Sequence, residues 1–256
     1  MFDNAYQLPI IFLFLGGIDA LAHNYYDKLK IDRWFFLHVI ANLNIVAFAY
    51  SDLIDVIYNP IHISPIVSTY PKNITFILHL YHIVGFRNLK TIDWVHHIVM
   101  CACLFMLSDH KGGALVNFVL FFINGFPGAM DYIMLIGVKM GLMDALTEKN
   151  YNNVINTWIR SPGILIGAVL LYVHWHLGTL SGNPWYLFYT ILVLYWNGIY
   201  FGNRVAVNYG YKCGERLSNN SREVISLTSL SLPTSTVNGS IVVATTNNND
   251  VNNVNN

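Results

Sequence analysis

Seven stretches of this sequence are each apolar over close to the 20 or so residues that a helix needs to cross a hydrocarbon layer. They fall at roughly 6–24, 34–58, 70–87, 92–108, 112–138, 158–178 and 184–203. Backbone in lipid must satisfy every N–H and C=O internally, so successive runs of this kind predict an all-α, polytopic transmembrane helical bundle of about seven spans. Composition agrees: 54% of residues are hydrophobic and 11% charged, against about 25% charged in soluble domains. Formal net charge is zero, so no basic face proposes nucleic acid as a partner. The first run, "QLPIIFLFLGGIDALA", lacks the charged flank and cleavage site of a signal peptide and is expected to be a retained span. The three cysteines, Cys101, Cys103 and Cys213, form no CxxC pair and imply no disulfide framework.

The distribution of basic residues orients such a bundle, because short cytoplasmic loops are enriched in Lys and Arg. With the N-terminus outside, the cytoplasmic segments hold Lys28, Lys30, Arg33, Arg87, Lys90, Lys139, Lys149, Arg160, Arg204, Lys212, Arg216 and Arg222, leaving only Lys72 and Lys111 on the other side. An odd number of spans follows, with 112–138 crossing once. That fifth span contains "NGFPGAMDY". Pro127 lacks an N–H and clashes with the preceding turn, so a kinked helix is expected, with a re-entrant break as the alternative. Three regions result: 1–33 with the first span and a loop, 34–210 as the main transmembrane domain, and 211–256 as a Ser/Thr/Asn-rich, disordered cytoplasmic tail.

Ionisable groups inside spans are costly and mark sites. At 100° per residue, Asp93, His96 and His97 of "TIDWVHHIVM" share one face. Asn117, Asn124 and Asp131 recur every seven residues; His38, Asn42 and Asp52 share a face; His79 and His82 are neighbours; Asn197, Tyr200 and Arg204 line up. Counting about 1.5 Å per residue, Asp93, His96, His97, Asp131, His82 and Arg204 come to one cytoplasm-proximal level. Asp52, Asp55, His79, His174 and His176 are expected nearer the opposite side. Simple interhelical hydrogen bonds, worth about 0.6 kcal/mol on average, account for Asn42 and Asn117 and compete with a binding role at Asn124. A carboxylate three or four residues before an imidazole can fix its tautomer and raise its basicity, which makes Asp93 with His96 and His97 the candidate catalytic group.

At "IDWVHH", preceded by "FILHLYHIVGF" and followed by "INGFPGAMDYIML", the chain resembles the TLC-domain family of ceramide-synthase-like multi-span membrane proteins, over roughly residues 34–204. That resemblance implies a role in lipid metabolism or homeostasis in the endoplasmic reticulum or a related endomembrane, with the N-terminus lumenal and the C-terminus cytoplasmic. Membrane lipids, and a second copy of the chain in a homodimer, are the partners it brings in. Some members are acyl-CoA-dependent N-acyltransferases; others have no established catalysis. The acyltransferase branch carries a His pair followed by an HDxxD-type cluster in the next span. His96 and His97 match the pair, whereas this chain has Asp109-His110 in reversed order in a loop and a lone Asp131. Two readings therefore stand: a lipid or acyl chain bound in a polar-lined intramembrane site, or acyl transfer with acyl-CoA as co-substrate. In the second, His96 or His97 is the general base, Asp93 orients it, and Asp131, His82, Asn124 and Arg204 hold substrate. Neither assigns a metal. The rival enzymatic reading is a membrane di-iron hydroxylase or desaturase, suggested by "HLYH", "DWVHH" and "HWH", although Asp93 stands where the first histidine of HxxHH would be.

Overall fold

The computed structural model describes residues 4, 6–29, 31–62, 64–86, 89–107 and 112–231, and these form an all-α chain of seven helical runs. They are α1 (Gln7–Leu29), α2 (Arg33–Tyr58), α3 (Tyr70–Gly85), α4 (Thr91–Leu107), α5 (Ala114–Lys139), α6 (Ala145–His176) and α7 (Pro184–Ser231). Three of them, α2, α5 and α6, are long and apolar enough to cross a membrane, and Gln7–His23 and Asp93–Met106 are shorter apolar segments. Arg87, Asp109, His110 and Lys111 lie outside the described residues.

The chain divides into two compact units, Met1–Gly214 and Glu215–Asn256. In the first, α2 is central and packs on α1, α3 and α5. Its buried stripe of Leu37, Ala41, Ile45, Ala49, Leu53 and Val56 repeats at helical spacing. Leu15, Leu78, Leu104, Leu115, Ile164 and Leu187, from the other six helices, complete one core with it.

Small residues set how closely α5, α6 and α7 approach. A Cβ on Gly167 would stand 2.7 Å from Val119 Cγ2, and one on Gly202 would stand 2.6 Å from Ser161 Oγ. Gly163 and Gly167 on α6, and Gly198 and Gly202 on α7, are thus two GxxxG pairs at helix contacts. Toward the C-terminal end of α2, Asp52 accepts from Val67 N–H at 3.1 Å and from Asn117 Nδ2 at 2.5 Å, and the same amide donates to Ser68 O at 2.8 Å. The loop before α3 is thereby tied to α2 and α5.

Three features differ from the expectations. Residues 121–125 form a π-helical turn just before Phe126 and Pro127, and α5 continues through it as one helix, which removes the re-entrant alternative. The widening accommodates a residue that cannot continue the normal ladder. Helix α6 starts at Ala145, well before 158, because the Asp144 carboxylate caps it by accepting from the N–H groups of Leu146 and Thr147. Its first turns, "ALTEKNYNNVI", are too polar to read as a span. In the second unit the chain is helical as far as Ser231, where composition predicts disorder from 211. Residues 232–256 lie outside the described residues.

Candidate functional site

Five histidines from three helices converge. His38 comes from α2, His79 and His82 from α3, and His96 and His97 from α4. The ring of His38 lies 4.6 Å from that of His82, and His82 lies 5.1 Å from His97. His79 is 5.2 Å from His97 and 5.4 Å from His96. The meeting of His79 with the pair corrects the depth count, which put His79 toward the other side. His79 and His82 are one turn apart on a 16-residue helix, so both reach α4.

Two of these rings have a fixed tautomer. His38 Nδ1 bonds Trp34 O at 2.7 Å, and His79 Nδ1 bonds Thr75 O at 2.7 Å. A carbonyl oxygen can only accept, so each Nδ1 carries the proton and each Nε2 presents a lone pair. In contrast, His82 Nε2 and His97 Nδ1 are buried with no hydrogen-bond partner among the described residues.

The rings wall two neighbouring pockets that share part of their lining and form the two lobes of one candidate site. The first, about 610 Å³, is lined by His82, His97, Arg33, Phe86 and Lys90, among others. The second, about 470 Å³, is lined by Asn42, Asn124, Asp131, Asn152, Arg160 and Arg204, among others. Trp34, His38, Asp93, His96 and Tyr132 line both. The Tyr132 ring lies 4.2 Å from His38 and 5.8 Å from Trp34, forming part of the partition. At the floor of the first lobe, Arg33 pairs with Asp19 and lies over the Phe86 ring at 4.7 Å, while Tyr81 donates to the same carboxylate at 2.7 Å.

All seven residues singled out from the sequence line this cavity. His82 and His97 face the first lobe, Asn124, Asp131 and Arg204 the second, and Asp93 and His96 both. Asp93 has a helix-capping task as well: its Oδ2 accepts from Lys90 N–H at 3.2 Å at the start of α4.

Much of the second lobe lies outside that list. Asn152 Nδ2 donates to Asp131 Oδ1 at 2.7 Å, and Asn156 Nδ2 donates to Asn152 Oδ1 at 2.6 Å. Arg160, counted above among loop charges, instead packs inside, donating to Asn197 Oδ1 at 2.8 Å and to Ile123 O at 3.4 Å. Pro127 has no N–H for that carbonyl four residues earlier, so the proline frees the acceptor that Arg160 takes. Arg160 itself ends a second π-helical turn, Asn156–Arg160, just before Ser161-Pro162-Gly163. Asn152, Asn156 and Arg160 recur every four residues ahead of "SPG", a stripe that would have signalled them had the sixth run been started earlier.

His174 and His176 take no part. His174 is engaged at both nitrogens, with Thr179 Oγ1 and Pro60 O, each at 2.9 Å. His176 packs on Tyr172. Comparison with models of protein families, with curated proteins and with solved structures finds no match.

Proposed function

We propose that this chain is an integral membrane protein of lipid metabolism or homeostasis that takes a lipid or acyl chain into the two-lobed cavity. The observation that carries the reading is a roomy, histidine-walled cavity within helices whose outer faces are apolar. Leu13 on α1, Phe48 on α2, Val84 on α3, Ile98 on α4, Ile133 on α5, Val169 on α6 and Leu192 on α7 are all exposed. Every helix thus offers apolar surface that hydrocarbon would cover. On this reading all seven helices lie in the membrane, with the N-terminus lumenal and the cavity toward the cytoplasmic side. The resemblance to TLC-domain proteins supports both the lipid class and an endoplasmic reticulum or related location.

The test is to purify the full chain in mild detergent and identify co-purifying lipid by mass spectrometry. One lipid class retained near one per chain, and lost from an Arg160→Met, Tyr132→Ala double variant that still elutes as a folded species, is the expected result. Retention of bulk membrane lipids only, in the proportions of the host membrane, would overturn it.

Acyl transfer is the second reading, and one observation favours it: His96 lines both lobes. An acyl thioester in one lobe and an amine or hydroxyl in the other would meet at that ring. An imidazole nitrogen would take the nucleophile's proton as the new acyl bond forms and the C–S bond breaks, releasing the thiol. Formation of a new acylated lipid by the purified protein with acyl-CoA, abolished in His96→Ala, is what this reading requires.

A further inference from the structure

The lipid reading uses His96 and His97 as polar groups and requires nothing of His79. Together the three rings form a different kind of set: one nitrogen from each lies within 4.8 Å of the other two. We propose that His79, His96 and His97 bind a single divalent transition-metal ion, with zinc the ion that this donor set fits, and leave one coordination position open to the cavity beside His96.

Four observations carry this. A four-coordinate zinc with imidazole bonds of about 2.0–2.1 Å holds its donors roughly 3.4 Å apart, so modest rotation of the three rings closes the site. The tautomer of His79 is already set by Thr75 O, which leaves Nε2 unprotonated, the arrangement by which a backbone acceptor orients a metal-bound imidazole. His97 is 5% exposed and its Nδ1 has no hydrogen-bond partner among the described residues. A buried ring nitrogen left unpaired is costly, and a metal bond would satisfy it. Finally, the donors are three nitrogens from two helices, without a thiolate. Three histidines with an open fourth position are a zinc arrangement of the reactive kind, where a structural site would be closed.

One ion fits better than two. The His82 ring is as near, 5.1 Å from His97, but among the described residues only His79, His96 and His97 have ligand atoms all within 4.8 Å of one another, and the rings of His38 and His82 pack on each other and on Tyr132 or Phe86. His174 holds its own partners. A two-metal cluster of the hydroxylase kind would need those rings and bridging carboxylates as well. His82 instead packs beside the three rings, its Nε2 buried and without a partner among the described residues.

The experiment uses the full chain, purified in mild detergent through an affinity tag that contains no histidine. After chelation, the protein is titrated with Co2+ and its visible absorption followed. The expected result is an intense tetrahedral Co2+ spectrum saturating at one equivalent and erased by one equivalent of Zn2+. His79→Ala and His97→Ala should each weaken Co2+ binding by more than about 100-fold, beyond the range typical for outer-shell changes, while His174→Ala leaves it unchanged. Absence of the spectrum in the unmodified chain would overturn the site without reference to any variant. So would saturation at two equivalents, or a spectrum that survives in both His79→Ala and His97→Ala. Lipid retention is read separately by mass spectrometry, so failure here and failure of the lipid reading are distinguishable.

Discussion

The two ends of the bundle treat their buried polar groups differently. At the end of α2 near the loop before α3, Asp52 uses both oxygens, His174 both ring nitrogens, and Gln7 Oε1 accepts from Thr69 and Asn73. What is left over there is a few oxygens, on Asp55, Asn73 and Asn117, each on a side chain otherwise engaged. At the other end the unpaired atoms among the described residues are Asn42 Oδ1, His82 Nε2, His97 Nδ1, Glu148 Oε1, Asn153 Oδ1, Arg160 Nη1 and Ser161 Oγ. Four of those seven residues, Asn42, His82, His97 and Arg160, line the cavity. Both ends hold fastening hydrogen bonds and leftover oxygens, yet among the described residues only the second leaves side-chain nitrogens unpaired, on His82, His97 and Arg160. Polarity inside a span therefore does not by itself mark a site; nitrogens that the protein leaves unpaired do.

That contrast predicts opposite mutational behaviour. The largest loss of stability should come from the fastened end. Asp52→Ala leaves Val67 N–H without its acceptor and Asn117 Nδ2 with Ser68 O alone, at a cost of about 3 kcal/mol, while Co2+ binding by the folded fraction stays intact. Thermal melting in detergent, read beside the Co2+ titration, checks both. Next is Gly167→Leu, where the new side chain meets Val119 and forces α5 and α6 apart, costing about 2 kcal/mol. If Gly167→Leu melts like the unmodified chain, the close approach of α6 to α5 is not what holds the second lobe.

Arg160→Met sits between the two regimes. It removes a buried guanidinium whose Nη1 is unpaired but leaves Asn197 Oδ1 and Ile123 O without their donor. The losses nearly cancel, so a change within about 1 kcal/mol is expected, accompanied by a several-fold drop in retained lipid. A loss as large as that of Asp52→Ala would place Arg160 among the fasteners.

The helices were legible because apolar runs of span length admit few alternatives, and the expected and observed positions of α2, α3 and α4 agree within about two residues, the usual ambiguity of helix ends. Where polar residues extend a helix, as in α6 before 158 and α7 after 203, hydropathy gives no sign of it. Angular positions along single helices brought out His82, His96, His97, Asn124, Asp131 and Arg204. Depth counting failed at His79, since it treats helices as parallel and evenly seated, and cannot see which neighbour a turn faces. The π turns were invisible for a related reason: Pro127 and Pro162 announce a disturbed ladder, but whether it kinks or widens is decided by what can take the freed carbonyl, here Arg160 from another helix.

The smallest effect on stability is expected where the sequence signal for function is strong. His82 is 2% exposed, its Nε2 has no partner, and its ring packs against His38 at 4.6 Å, Phe86 at 4.9 Å and His97 at 5.1 Å. His82→Phe keeps a ring of similar size among those neighbours and removes the unpaired nitrogen. Its stability should therefore be unchanged or higher by up to about 1 kcal/mol, measured by the same melt. Retained lipid should fall, because the lining of the first lobe loses an imidazole. A histidine whose removal stabilises the fold cannot be there for the fold. If His82→Phe instead destabilises as strongly as Asp52→Ala, His82 Nε2 has a structural partner after all, and the distinction between fastened and open ends loses its clearest member.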